Sequence, residues 1–369
     1  MPRIAGMPDQ AGGSTVSGRA GTLAQVYRRF GELSAAETSP LYERVAIALS
    51  KSDEALQAIE LVPARRRHPT VILAALHDLA LSGRAPALAA AYAVADRDAA
   101  AGAAIDLLLR MTNSVVAIAS RRNARTDETG RCPVLYPAIA EAARRASASA
   151  VGLIDVGCPA GLNLTVDRVG ITYSDGQFLG DRSSPVQLSC SVVGDRPIPT
   201  RAMPEVVARA VVDLDPLDVT DTDDARWLRA CLRPDQPERA AMLKAEMALA
   251  AQAPPLLLQG DPVEVLPDAV ARVPADALPV LITTWALSRF RPETRQRFVQ
   301  CLDEAVGRTV AWVSAEGVGV APVIPTLGDR RASGHSIVGL AVFDRSNSRT
   351  GAIGRCWSRG RWLSWLAGS

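Results

Sequence analysis

Two textures divide the chain. From Thr22 to about Ser149, apolar residues recur at three- and four-residue steps, as in Leu23, Val26, Tyr27 and Phe30, and again in Tyr42, Val45, Ala46 and Leu49. That spacing lines one face of an α-helix. Ser39-Pro40 opens the second of these helices, because proline is tolerated in a first helical turn. Residues 71–82 and 86–95 continue the pattern, with Gly83 as a stop and Pro86 as a start. Residues 103–119 read as one longer helix, apolar around much of its circumference and therefore buried. The segment 121–131, RRNARTDETGR, is a dense polar stretch of the kind that lies on a surface.

At Val151 the pattern changes. Short runs rich in Val, Ile and Leu now appear at 151–157, 208–214, 254–259, 279–285, 308–314, 336–344 and 351–357. Helix-like segments lie between several of them, at 225–232, 237–251, 263–271 and 292–306. Such alternation predicts a mostly parallel sheet covered on both faces. The last two runs are joined by the short polar SNSRT, which suits an antiparallel pair. By fold analogy, this is a Rossmann-like α/β domain of the methyltransferase type. Residues 171–201 break the alternation with Asp175-Gly176, Gly180-Asp181 and Gly194-Asp195, and read as a β-hairpin insertion. The expected organisation is a flexible tail over 1–21, a helical N-terminal domain over 22–149, and the α/β domain over 150–369.

Composition narrows the function classes. Apolar residues make up 48% of the 369, enough for a full core, and the net charge of +2 offers no field for nucleic acid or an anionic membrane. Aromatic residues are only 4%, which argues against stacking platforms for single strands. The six cysteines are scattered, with no C-x-x-C pair, and read as reduced thiols of a cytoplasmic protein. The first twenty residues lack the basic and apolar regions of a secretory signal, and no eighteen-residue apolar stretch occurs, so no membrane span is expected. The sequence does not speak to oligomeric state.

The leading candidate site is LIDVGCPAGLN, residues 153–163, where an apolar strand meets an acid, a small-residue loop and a helix start. Asp155, Gly157, Gly161 and Asn163 are the cofactor-side candidates here. Glycines permit close backbone approach, and ligands bind at the carboxyl ends of strands in open α/β sheets. A tight turn needing glycine for packing alone is the equal alternative. Next comes VVDLDPLDVTD, 211–221, where Asp213 or Asp215 at the end of the second sheet strand can accept a ribose diol. Asp218, Asp221 and Asp223 serve equally as turn and cap residues, and a divalent-cation site or metal-dependent hydrolase ranks below both. Asp261, in Gln259-Gly260-Asp261-Pro262, either accepts from an adenine amino group or simply makes a turn. Thr283, Thr284, Trp285 and Ser288 end the central strand, where Trp285 lines a pocket or fills core. Glu128 and Arg131 of the polar loop are the candidates for substrate contact, or belong to a solvated loop. His68, His77 and His335 match no hydrolase motif and read as structural.

Several segments together resemble one family. LIDVGCPAGLNLTVDR, VVDLDPLDVTDTDDARWLRACLRPDQPERAAML, ITTWALSRF, VAWVSAE, GRWLSWL and the upstream TDETGRCPVLYPAI look like the bacterial family named domain of unknown function 2332. The resemblance implies a methyltransferase-like fold and leaves the activity open. Where that family tends to read G-A-S-A-G, this chain has Gly157-Cys158-Pro159-Ala160-Gly161, and Asp127 stands where Asn is usual. Pro159 removes one backbone donor from the loop. The expectation is an S-adenosylmethionine-dependent methyltransferase acting on a small molecule. The alternative is a non-catalytic ligand-binding or regulatory protein that keeps the fold.

Overall fold

The computed structural model describes residues 23–36, 38–124, 129–304, 307–331, 334–344, 348–357 and 360–367. The chain divides into two compact units, one of 1–126 with 226–240, the other of 127–225 with 241–369. The expected boundary at 149/150 therefore differs from the contact boundary at 126/127. The helix Cys132–Arg145 packs on strands of the sheet, which places it with the α/β unit.

In the helical unit, α1 (23–29) runs into a π-helical turn, Phe30–Ala35. There follow α2 (Pro40–Leu49), α3 (Asp53–Glu60), α4 (Pro69–Leu81), α5 (Pro86–Ala93), α6 (Arg97–Arg110) and α7 (Thr112–Arg121). The starts are chemically marked. Ser39 accepts from Tyr42 N and Ser52 from Ala55 N, each satisfying one unpaired donor of a first turn. The single helix expected over 103–119 is instead two, meeting at Met111 with a 90° bend. Thr112 Oγ1 donates back to Leu108 O, and the turn lets Val115 and Ala119 enter the core. Among the described residues, no single helix is long and apolar enough to cross a membrane.

Helix α4 is buried throughout Val71–Ala80, including two polar residues that hold segment 226–240 in this unit. His77 Nδ1 lies 3.1 Å from both Ala230 O and Leu232 O. Carbonyls only accept, so Nδ1 carries the hydrogen. Asp78 takes a 2.9 Å bond from Arg226 Nε, and Ser39 Oγ donates to Asp235 at 2.6 Å. Trp227 Nε1 donates to Asn123 O at 2.9 Å. This strap comprises the end of α9 (Thr222–Ala230), the start of α10 (Pro237–Ala251) and the residues between them.

The second unit is an α/β fold with a large, mostly parallel mixed sheet. Its helices are α8 (Cys132–Arg145), the remaining parts of α9 and α10, α11 (Pro262–Ala271) and α12 (Pro292–Glu304). Its strands are β1 (Ala150–Val156), β2 (Gly170–Tyr173), β3 (Phe178–Gly180), β4 (Gln187–Val192), β5 (Glu205–Asp213), β6 (Leu256–Gln259), β7 (Leu278–Thr284), β8 (Val310–Gly317), β9 (Ser336–Phe343), β10 (Ser348–Cys356) and β11 (Trp362–Trp365). They lie in the order β3-β2-β4-β11-β10-β9-β8-β7-β1-β5-β6. The stretch β8-β7-β1-β5-β6 is parallel, while β8–β9 and β9–β10 pair antiparallel. Strands β1, β7 and β9 are almost wholly buried because both faces are covered. Leu153, Val280 and Val313 face α8, whereas Ile154, Leu281 and Trp312 face α11 and α12.

The segment expected as a hairpin insertion is more than that. β2 and β3 form the hairpin, turning at Gly176 (φ +89°), but β4 pairs parallel with β2 and with β11. The insertion therefore extends the main sheet, and β11 supplies the join. Its partner is more than 160 positions away, and Trp362–Trp365 is short.

Candidate functional site

Chain order in the parallel stretch runs outward from β1 to β5 and β6, then returns to β7 on the other side of β1. The carboxyl ends of β1 and β7 thus form a switch point, the place where open α/β sheets bind ligands. A buried polar cluster occupies it. Asp155, wholly buried on β1, accepts from Asn163 Nδ2 at 3.0 Å. The same amide donates to Thr284 Oγ1 at 3.1 Å. Arg131 Nη1 reaches Thr284 Oγ1 at 2.6 Å, Thr284 O at 3.1 Å and Cys158 Sγ at 3.2 Å. Its guanidinium sits 4.9 Å from the centre of the Trp285 ring, a cation–π stack. Trp285 has φ +51°, unusual for a bulky side chain, and its Nε1 donates to Ser336 Oγ at 2.7 Å.

The glycine loop is tight for a reason the structure makes explicit. Gly157 (φ +81°) and Gly161 (φ +61°) are both in the left-handed region. A Cβ on Gly157 would stand 2.8 Å from Ala286 Cβ, and one on Gly161 would stand 2.6 Å from Val211 Cγ2. The chain's own atoms make the close approach. The amide of Gly157 donates to Val212 O and that of Gly161 to Cys158 O, while Arg289 Nη2 donates to Gly157 O.

The acids after β5 and β6 are engaged locally. Asp213 Oδ1 accepts from Asp215 N at 2.9 Å, and Asp261 caps α11 through Val263 N at 2.8 Å. Asp218 holds Thr220, and Asp221 caps α9 through the amides of Asp223 and Asp224. Among the described residues, no three His, Cys, Asp or Glu side chains converge as metal ligands. Thr283 faces the opposite side of the sheet from Thr284 and accepts from Trp312 Nε1, and Ser288 Oγ donates to Trp285 O. Asp127 and Glu128 lie outside the described residues. Arg131, read from sequence as part of a surface loop, is only 7% exposed.

This chain matches the family model described as an uncharacterized protein conserved in bacteria, DUF2332, over residues 24–365. The chain belongs to this family. No curated protein matches it. The match covers both compact units, strap included.

Sequence reasoning missed two glutamates of the site. Glu246 on α10 accepts from Gly130 N at 3.1 Å, and Glu316 at the end of β8 accepts from Ala286 N and Leu287 N at 3.1 and 3.2 Å. Burial pushes each carboxyl up to about 7, while the Arg131 charge and the amide donors pull it back. No local motif marks either residue. Only the fold brings them to Arg131.

Two pH windows follow, one for each unit. Glu246 and Glu316 hold protons in the folded state that the unfolded chain releases near 4.5. Their contribution to stability is full below that pH and is lost as pH rises to about 7, on the order of 3 kcal/mol per group. His77 works the other way, because burial lowers it to about 4 from an ordinary 6.5. Its contribution is full above 6.5 and is lost as pH falls toward 4. Calorimetric unfolding from pH 4 to 8 should show H77Q flattening the acid side, and E246Q or E316Q the neutral side. Unchanged profiles in these variants would refute the assignment.

Proposed function

We propose that this protein is an S-adenosylmethionine-dependent methyltransferase acting on a small molecule at the β1/β7 switch point. The observation that carries the reading is the coincidence of that switch point with a left-handed glycine turn and with carboxylates at the end of β5. Parallel strands ending in an antiparallel pair, and six free cysteines suited to a reducing cytoplasm, agree with it. The residues fit the cofactor at one end. Asp213 and Asp215 suit a ribose diol. The loop offers less, since the Gly157 and Gly161 amides are already donated and Pro159 has none. When bound, the cofactor supplies an activated methyl group. The chain's own part is then to hold the acceptor in line and exclude water, with Trp285 and Arg131 on the substrate side.

Calorimetry with S-adenosylmethionine and S-adenosylhomocysteine tests this. Micromolar binding is expected in the wild type, with loss in folded D213A or D215A. The cover of Ala286 and Arg289 over Gly157 favours a second reading, a non-catalytic ligand-binding or regulatory protein. A well-folded wild type that binds neither compound would select it.

A further inference from the structure

We propose that His335, oriented by Asp329, is a proton acceptor at the ligand edge of the sheet, serving a small molecule that carries a hydroxyl, amine or thiol. The inference rests on the reading that this edge binds a small molecule. Register places the group there. β8 ends at Gly317, which pairs with Ser336 at the start of β9, and Cys356 at the end of β10 pairs with the same Ser336. His335 and Arg355 therefore stand at the edge where β7 ends in Thr284. Trp285 Nε1 bonds Ser336 Oγ at 2.7 Å, which ties this corner to the buried cluster.

The chemistry is that of an acid–base pair. Asp329 Oδ2 lies 3.0 Å from His335 Nε2 and accepts from Arg355 Nε at 2.6 Å, while Oδ1 accepts from Arg355 Nη2 at 3.2 Å. Arg355, and after it His335, holds the Asp329 carboxyl below its usual range, so it stays ionised. A carboxylate only accepts, so Nε2 carries a hydrogen, and in the neutral ring the lone pair is on Nδ1. Among the described residues none bonds Nδ1, and the side chain is 14% exposed. A substrate proton moves to Nδ1 as its bond to the heteroatom breaks, and the electron pair stays on the heteroatom. The imidazolium formed is stabilised by Asp329 and later yields the proton to water. His335 is the group that touches substrate, and Asp329 is a positioning residue. His68 and His77 differ: the first bonds Thr70 through Nδ1, and the second is buried against carbonyls.

The test uses diethyl pyrocarbonate, which acylates an unprotonated imidazole nitrogen, with peptide mass spectrometry on the folded full chain. His335 should be modified faster than His68 or His77. D329N should slow it several-fold, D329E should restore part of the rate, and H335Q should leave S-adenosylhomocysteine affinity unchanged. A His335 that resists the reagent in the wild type, or reacts equally in D329N, overturns the proposal and leaves a structural ion-pair cluster. A protein that binds no S-adenosylhomocysteine yet keeps Asp329-dependent reactivity at His335 defeats the methyltransferase reading and supports this one.

Discussion

Arg131→Met is expected to lower stability by about 3–5 kcal/mol, the usual consequence of removing one partner from a buried charge cluster. The guanidinium donates to Thr284 O and Oγ1 and stacks on Trp285, and methionine replaces only its volume. Buried acceptors that lose their donor cost more than the bond itself was worth. Glu246 and Glu316 also lose the positive charge that moderates their burial. The deficit should therefore be larger at pH 8, where both carboxyls ionise, than at pH 5, where both hold protons. Urea unfolding at the two pH values measures it. A loss below about 1 kcal/mol at pH 8, the range of an exposed pair, would mean that the cluster is solvated and not a buried network.

The helical unit should fail as a contiguous fragment. Residues 23–124 alone lack the strap 226–240, which supplies the carbonyls for His77, the guanidinium for Asp78 and the carboxylate for Ser39. Without the strap those polar groups, His77 and Asp78 in α4 and Ser39 at the start of α2, lose their partners, each at roughly 1–3 kcal/mol. That sum rivals the whole stability of a small domain. The fragment should show helical circular dichroism without a cooperative thermal transition. The same fragment joined through a flexible linker to 226–240 should recover one. Equal cooperativity in both would show that the strap is peripheral.

What could be read from the sequence has a common physical origin. The seven strands at 151–157, 208–214, 254–259, 279–285, 308–314, 336–344 and 351–357 all exist, within a few residues, and β1, β7, β8 and β9 are apolar runs because a strand covered on both faces must be one. Helix starts are legible where proline suits a first turn, as at Pro40 and Pro86, whereas Asp261 proves to be the cap of α11. The helix expected over 103–119 went wrong at Met111, since helical spacing persists across a bend that only packing requires. Gly157 and Gly161 were identifiable as positions needing glycine. Whether a ligand or the chain itself came close there depended on Ala286 and Val211, distant in sequence.

The sequence by itself determined the two textures, the strand and helix content and the acids at the strand ends, because each follows from local spacing and short-range chemistry. Tertiary structure alone decided that Arg131 leaves a polar stretch to be buried against Thr284 and Trp285, where its charge is felt by two glutamates, and that β4 and β11 lengthen the sheet. It also decided that 226–240 belongs to the helical unit and that Asp329, His335 and Arg355 meet. These pairings are long-range, and the energy of a buried charge or a sheet edge depends on a partner that no local pattern names.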